Sequence, residues 1–437
     1  MSLSADQPEA TRRDLPGLLR LGLPGAPART PLPATPEAWR DLLRLATPLL
    51  HPWIHHSLPA EARQELPGRI GGLLEDSRRA TAILHLRRKH ELGRILEEFA
   101  REGIVSVVLK GMALACLVYP EPSLRPMIDI DLAVPEAQWP RARQVLLGLG
   151  LCVPSRHAGR PQTGPNAMAE TSKPFQRPGT RMMVDLHPSV DLGSRGSVTE
   201  ESRLVGLSRE VDLDGLQARV LTWENFIVHV GAHLSERHLF DRGLPALLDL
   251  TLILHAEGGS LDWQRVLDAG PQGDPRAVGL PLLLAAELLG APVPAAPLEA
   301  MRAASDDAEL HDLAIEQIFG AGENRVSPGL IEMATRSPGR RLAHVVRRLN
   351  PWRSAEAGAG FGHAGRLAAR RLGSDLIARA KIYASAWRRG DLTRENLRHA
   401  LRLRQGRERI AELMELELPD GAERSDPISR RPGAGGG

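Results

Sequence analysis

One stretch of the sequence decides the fold of this chain: residues 125–134, which read RPMIDIDLAV. Apolar and acidic residues alternate here, as they do on a β-strand with one buried face. Asp129 and Asp131 then share the opposite face, with Cα atoms roughly 6–7 Å apart. Two carboxylates this close repel each other unless a cation lies between them, and Mg²⁺ is held by one or two carboxylates together with substrate phosphates. The stretch therefore indicates phosphate chemistry on a strand at residues 127–134.

Sequence patterns on both sides of this strand predict a mixed core between helical regions. An apolar run and two turn-containing segments predict further strands and hairpins at 105–109, 173–187 and 211–221. Apolar residues at helical spacing predict helices at 75–102, 111–118, 136–149, 222–236, 244–257 and 279–290. The predicted fold class is therefore α+β, with a small mixed β-sheet, flanking helices and a mostly helical C-terminal domain.

Composition divides the chain into five expected regions. The first is rich in Pro, Ala and Gly and is expected to be a disordered leader, and the last is a polar tail that ends in Gly-Ala-Gly-Gly-Gly. Between them we expect a helical N-terminal region, the mixed core and a helical C-terminal domain. The expected boundaries are 1–35, 36–103, 104–221, 222–416 and 417–437.

The overall composition is that of an ordinary globular protein of 437 residues, with 42% hydrophobic and 25% charged residues. The net charge of +3 is small for this length and argues against a dedicated nucleic-acid coat. Arginine carries almost all of the positive charge, which together with abundant Ala, Gly, Leu and Pro favours a bacterial source with GC-rich coding. Lysine is scarce, so Lys110 beside Gly111 stands out.

Nothing in the sequence predicts a membrane or secretory destination. No apolar run reaches the length needed to span a bilayer, and the N-terminus lacks the apolar segment of a signal peptide. The two isolated cysteines, Cys116 and Cys152, fit a reduced protein better than a disulfide scaffold. We therefore expect a cytoplasmic protein that does not bind membranes.

A third carboxylate follows the acidic strand in the segment MMVDLH at residues 182–187. On a strand, Asp185 and His187 share one face. If this strand lies beside the first one, Asp129, Asp131 and Asp185 converge on one or two metal ions. His187 then either orients Asp185 or caps the strand.

Three motifs carry a family resemblance: Leu109-Lys110-Gly111, the Arg-Pro-Met-x-Asp-x-Asp strand at 125–131, and Asp185-Leu186-His187. Over roughly residues 95–255 the chain resembles a bacterial family of uncharacterised nucleotidyltransferases within the DNA polymerase β-like superfamily. The resemblance implies a nucleotidyltransferase core at 104–221 that moves a nucleoside monophosphate from an NTP to an acceptor and releases pyrophosphate.

The resemblance also implies roles for the site residues. Asp129, Asp131 and Asp185 are implied to be catalytic and to bind Mg²⁺ or Mn²⁺, and Asp185 is implied to help deprotonate the acceptor hydroxyl. Gly111 at the start of a helix is implied to let backbone N–H groups approach the phosphates. Many relatives carry Gly-Ser at this point, whereas this chain has Gly111-Met112.

Because the serine hydroxyl is missing, Lys110 or Arg125 is the expected source of the lost phosphate contact, with His187 as a further nucleotide-binding residue. A structural explanation stays open for each site residue. The acidic pair can be the solvated face of an edge strand, Asp185 a surface residue and Gly111 a plain helix–strand junction. Lys110 can be a solvated charge, and Arg125 can pair with Glu121.

His229 and His233 lie four residues apart on one expected helix face, a spacing that can bind a metal. No Glu lies between them as in an H-E-x-x-H motif, and we favour a structural or nucleotide-pocket role over a zinc site. Asp249 on the next expected helix can pair with one of these histidines. Residues 336–409 are rich in arginine, which we interpret as a solvated helical face rather than an RNA-binding surface.

Two other functions remain open at this point: a non-catalytic nucleotide-binding or assembly protein that keeps the fold, and an RNA-binding helical protein. The acceptor is undetermined, and a sugar, a peptide, a small metabolite, a protein or a tRNA all fit. Nucleic acid is therefore an open but not a favoured partner. No Walker, C-x-x-C or G-x-S-x-G motif supports another chemistry.

Overall fold

The structure is a computed structural model that describes residues 7–25, 30–153, 174–241, 243–268, 273–323 and 394–416. Its helices are, in chain order, α1 Gln7–Arg20, α2 Pro36–Ala46, α3 His51–Ser57, α4 Ala60–Glu65, α5 Gly68–Arg101, α6 Lys110–Leu117, α7 Trp139–Gly148, α8 Glu201–Gly206, α9 Trp223–Ala232, α10 Gly243–Glu257, α11 Trp263–Leu267, α12 Arg276–Leu289, α13 Ala295–Ala304, α14 Ala308–Glu323 and α15 Arg394–Leu413. A π-helical turn, His233–Arg237, continues α9.

The strands are β1 Val107–Val108, β2 Asp129–Ala133, β3 Phe175–Gln176, β4 Met183–His187, β5 Val190–Asp191, β6 Ser197–Val198, β7 Ser208–Asp212 and β8 Gln217–Leu221. Six of them form a mixed sheet in the order β3-β4-β2-β1-β8-β7, and β5 and β6 form a separate pair. Within the larger sheet, β2 is parallel to β4 and β1 is parallel to β8, while the other neighbours are antiparallel.

This architecture confirms the α+β fold class, with a mixed sheet between helical segments. Both expected hairpins are present, as β3 with β4 and as β7 with β8. The second hairpin turns at Asp214, which has a left-handed φ of 55°, and Gly215. The long helix α5 begins at Gly68 rather than at residue 75, directly after Pro67, which is compatible with a helix start because proline has no N–H to leave unpaired.

The N-terminal segment differs from the disordered leader expected over 1–35. Residues 7–20 form α1, whose Leu15, Leu18 and Leu19 are fully buried. These leucines are three and four residues apart, so they line one face of a helix, and each contributes roughly 1.5–3 kcal/mol when buried. The indole of Trp53 donates a hydrogen bond to the Leu19 carbonyl at 3.0 Å. Over residues 7–20 the expectation of disorder is therefore wrong, because the Pro and Gly content of the segment masked this apolar stripe.

One hydrophobic core joins the regions that composition had separated. Buried side chains of α2, α3 and α5, of the six-stranded sheet and of α9, α10 and α12 belong to a single cluster. The boundaries at 103 and 221 therefore stay predictions. The predicted tail at 417–437 and most of the arginine-rich segment at 336–409 lie outside the described residues. None of the described helices is both long enough and apolar enough to cross a membrane.

Candidate active site

The register of β2 against β4 places the acidic residues on one face of the sheet. Asp131 lies directly beside Asp185, and Asp129 lies beside Met183. Because side chains alternate along a strand and aligned residues of neighbouring strands share a face, the three carboxylates lie on the same side. The alternation in β2 buries Ile130 completely on the other side.

Asp131, Asp185 and His187 form a group that could hold a metal ion. One ligand atom from each of the three residues lies within 4.8 Å of the others. The Nε2 atom of His187 is 3.4 Å from Oδ1 of Asp131. Among the described residues this is the group with metal-ligand spacing, and Asp129, two residues before Asp131 on the same strand, is not one of its members.

The electrostatics of the site show an excess of negative charge. Burial, followed by the charge of Asp131, raises the pKa of Asp129 to about 6, and burial also raises the pKa of Asp185. Burial would raise the pKa of Asp131 too, but Lys110 and His187 outweigh it and hold that pKa below its ordinary value. The neighbouring carboxylates resist ionising together, so a divalent cation would be stabilised among them. The donor set therefore fits a metal ion.

Lys110 brings a positive charge to this group from the first residue of α6. Its Nζ atom is 3.5 Å from Oδ1 of Asp131 and 3.2 Å from Nε2 of His233. The backbone of Lys110 has a φ of 23°, in the left-handed region that non-glycine residues seldom adopt. Such strain persists only where the surrounding structure fixes the backbone, as it does at many functional sites. The lysine is therefore held beside Asp131 and His233 rather than solvated at a strand end.

Gly111 and Arg125 meet beside this lysine. A Cβ atom added to Gly111 would lie 3.3 Å from Nη1 of Arg125 and 3.5 Å from the side chain of Met127. Glycine is thus the residue that lets the arginine approach the start of α6. Gly111 is accordingly more than a plain junction between a strand and a helix.

Arg125 is anchored by a carboxylate that lies 124 residues later in the chain. Its Nε donates to Oδ1 of Asp249 at 2.8 Å and its Nη2 donates to Oδ2 at 2.6 Å. The hydroxyl of Tyr119 donates to the same carboxylate at 2.7 Å. The alternative partner of Arg125, Glu121, bonds Arg78 instead. The expected pairing of Asp249 with a histidine is wrong, because Arg125 and Tyr119 occupy the carboxylate.

The two histidines of α9 and its π-helical extension stand next to the site. The rings of His229 and His233 stack with centroids 6.0 Å apart. Nδ1 of His229 is 2.6 Å from the carbonyl oxygen of Asp191, and His233 contacts Lys110. Neither histidine belongs to the group with metal-ligand spacing that the described residues contain. Their contacts are those expected of a structural or pocket role.

Sequence reasoning missed Arg88 of α5. This buried arginine donates through Nη2 to the carbonyl oxygen of Ile128 at 3.2 Å, and its Nε has no hydrogen-bond partner among the described residues. Burial lowers the pKa of Arg88, and the charge of Asp129 opposes this shift. The available signal was a polar residue on the buried face of α5, one turn before the buried Leu92.

Comparison with known proteins places the chain in a family. Residues 35–290 match the family described as "Uncharacterised nucleotidyltransferase". Because the match spans more than half of the chain, the protein belongs to the nucleotidyltransferase class of transferases. The protein is a member of this family of uncharacterised nucleotidyltransferases. The family match begins at Thr35 and so includes the helices that precede the sheet.

Two further comparisons give little. No curated protein matches the chain. The chain is similar to the solution structure of the antibiotic-resistance factor ANT(2'')-Ia, with 16% sequence identity over 40% of this chain and 84% of that chain, and a TM-score of 0.27. At that level of similarity the comparison defines neither the details of the fold nor the acceptor.

Proposed function

We propose that the protein transfers a nucleoside monophosphate from an NTP to an acceptor hydroxyl, with a divalent metal ion and release of pyrophosphate. The observation that carries this proposal is the meeting of Asp131, Asp185 and His187 within 4.8 Å on the sheet. We further propose that the family belongs to the DNA polymerase β-like superfamily. The strand with two acidic residues, the parallel strand with the third, and the glycine after β1 support that placement.

Asp131, Asp185 and His187 are the residues that would hold the metal. We propose that Asp129, two residues before Asp131 on the same face of β2, takes part in a second position. We propose Mg²⁺, because carboxylates dominate the donor set, while the imidazole also suits Mn²⁺. When bound, such an ion neutralises charge on the triphosphate and polarises the phosphoryl oxygens.

The phosphate side of the site consists of the start of α6 and two cations. Lys110 begins α6, and Nη1 of Arg125 lies 3.3 Å from the position of a Cβ on Gly111. The first N–H groups of a helix have no partner within the helix and can bind an anion. These groups would bind the triphosphate and orient its α-phosphorus. The charges of Lys110 and Arg125 therefore take the place of the serine hydroxyl that Met112 lacks.

We propose that Asp185 is the carboxylate that accepts the proton of the acceptor hydroxyl. It is half-buried, whereas Asp131 is buried and contacts both Lys110 and His187. In the reaction, the acceptor oxygen forms a bond to the α-phosphorus while the bond from that phosphorus to the bridging oxygen breaks. The proton of the hydroxyl passes to Asp185, and pyrophosphate leaves.

Two described arginines near the C-terminus have acidic partners within the protein, which argues against the RNA-binding alternative. Arg407 pairs with Asp241, and Arg409 pairs with Glu309, so these charges bind acidic groups of α14 and its surroundings. The other open alternative, a non-catalytic nucleotide-binding protein, rests on Met112.

We also propose a bacterial cytoplasmic location, which the unpaired Cys116 and Cys152 support. The acceptor class stays open.

The deciding experiment incubates the protein with each α-labelled NTP, Mg²⁺ or Mn²⁺, and a cell extract. The variants are Asp131→Asn, the double variant Asp129→Ala/Asp131→Ala, and the matched control Glu97→Gln, which removes an exposed carboxylate of α5. We expect label transfer by the wild type and the control, and a loss of roughly 100-fold or more in the aspartate variants. Equal transfer by all four proteins, or nucleotide binding without transfer by any, would refute catalysis at this site.

A further inference from the structure

A histidine from beyond the sheet contacts the lysine of the proposed phosphate site. Nζ of Lys110 lies 3.2 Å from Nε2 of His233, and Nε2 of His233 lies 2.9 Å from Nε2 of His238. His233 begins the π-helical turn after α9, and His238 directly follows that turn. Nζ of Lys110, Nε2 of His233 and Nε2 of His238 therefore form a chain of hydrogen-bond contacts between two distant parts of the sequence.

The hydrogen-bond roles in this series follow from the chemistry of the groups. A lysine ammonium can only donate, so Nε2 of His233 must accept and its proton must be on Nδ1. With Nε2 of His233 as an acceptor, Nε2 of His238 must carry its proton, and it shares this single lone pair with the ammonium group. Burial, followed by the charge of Lys110, lowers the pKa of His233 well below its ordinary value, which keeps the imidazole neutral and able to accept.

The π-helical turn is the local structure that makes the contact between the histidines. On an α-helix, neighbours on one face are three or four residues apart, so residues five apart point in different directions. In the turn from His233 to Arg237, the N–H of His238 instead bonds the carbonyl of His233 at 3.1 Å. The two rings consequently meet edge to face, with centroids 4.5 Å apart.

We propose that His233 is a positioning residue that holds the ammonium group of Lys110 toward the triphosphate, with His238 fixing the tautomer of His233. This inference rests on the proposed function and extends the site to α9. Lys110 has a long flexible side chain, and Asp131 alone draws it toward the carboxylates at 3.5 Å. The imidazole supplies a second, neutral partner, which leaves the lysine charge available to a phosphate.

The first test measures the placement of Lys110 without any nucleotide transfer. The chain has four lysines, Lys89, Lys110, Lys173 and Lys381, so competitive labelling with an amine-specific reagent and peptide mass spectrometry gives each one separately. Replacing His233 with leucine should raise the labelling of Lys110 about fivefold relative to the other three lysines, because one hydrogen bond is lost.

Two amide variants guard against a loss of folding in the leucine variant. His233→Gln places its amide oxygen near the position of Nε2, whereas His233→Asn places it near Nδ1. We expect the glutamine variant to protect Lys110 as the wild type does and the asparagine variant to resemble leucine. Equal labelling of Lys110 in the two amide variants, or unchanged labelling in a folded His233→Leu variant, would overturn the proposal.

The second test compares the KM for the NTP with the apparent kcat, and so separates an effect on nucleotide binding from a loss of folded enzyme. If His233 positions the lysine, the leucine variant should raise the KM for the NTP about fivefold, and the glutamine variant should restore it. A purely structural role would lower the apparent kcat through loss of folded protein and leave KM unchanged, which would contradict the proposal. If the wild type shows no transfer at all, the proposed function fails while the labelling result still decides the placement of Lys110.

Discussion

Replacing Asp249 with alanine would leave the Arg125 guanidinium charged and without its carboxylate inside the protein. The side chains of Arg125 and Asp249 are only 15% and 4% exposed, so water cannot replace the lost partner. The carboxylate accepts two hydrogen bonds from the arginine and one from the Tyr119 hydroxyl. The charge of this carboxylate raises the pKa of Arg125 above its ordinary value despite burial, so the arginine is held in its charged form.

The expected cost follows from these contacts. Breaking a buried ion pair by removing one partner costs about 3–5 kcal/mol, and leaving a buried hydroxyl without an acceptor costs about 1–3 kcal/mol. Because the two costs share one carboxylate, we expect Asp249→Ala to lower the free energy of unfolding by about 4 kcal/mol. Asp249→Asn keeps one acceptor oxygen and should cost about half as much.

Urea unfolding followed by tryptophan fluorescence would measure these changes. The control is Glu37→Ala, which removes an exposed ion pair with Arg40 and should leave the midpoint nearly unchanged. The apolar double variant Arg125→Met/Asp249→Leu should be more stable than Asp249→Ala, because it buries no unpaired charge. A loss below about 1 kcal/mol for Asp249→Ala would show that this pair does not anchor the arginine, and the reasoning would be refuted.

Two further predictions concern the site itself. Burial lowers the pKa of His229 to about 4 and also lowers that of His233, so between pH 6.5 and pH 4 the unfolded chain binds more protons than the folded one and stability falls on acidification. From pH 7 to pH 5 each histidine should lower the free energy of unfolding by about 2 kcal/mol. The variant His229→Gln should therefore show a weaker pH dependence of the urea midpoint than the wild type. Parallel curves for variant and wild type would contradict this prediction. Gly111→Ala places a methyl group 3.3 Å from Nη1 of Arg125 and should raise the KM for the NTP several-fold with little loss of stability, whereas an unchanged KM would remove Arg125 from the phosphate site.

The local elements of the core could be predicted from the sequence because their signals are local. The alternation of apolar residues with Asp129 and Asp131 predicts a strand at 127–134, and β2 occupies Asp129–Ala133 within it. The hairpin turn at Asp214-Gly215 follows from the backbone preferences of Asp and Gly. The alignment of Asp131 with Asp185 was conditional on two strands being neighbours, and their parallel pairing supplies that condition.

The contacts that complete the site could not be read in the same way. The partners of Arg125 and Lys110, which are Asp249 and His233, lie more than a hundred positions away along the sequence. Hydrophobic periodicity locates the helices that carry Asp249 and His233, but it does not say which helix packs against which strand. Arg88 was overlooked because a charged residue on a long helix ordinarily faces water.

The position of β1 has a consequence for how the protein is made. This two-residue strand lies between β2 and β8 in the sheet. Its edge on the side away from β2 is paired only when Val107 aligns with Arg219 of β8. A nascent chain therefore exposes an unfinished, apolar strand edge until the β7–β8 hairpin has left the ribosome. Pairings so distant along the chain close slowly, which favours assistance by chaperones during synthesis. Fragments that stop before β8 should aggregate rather than fold.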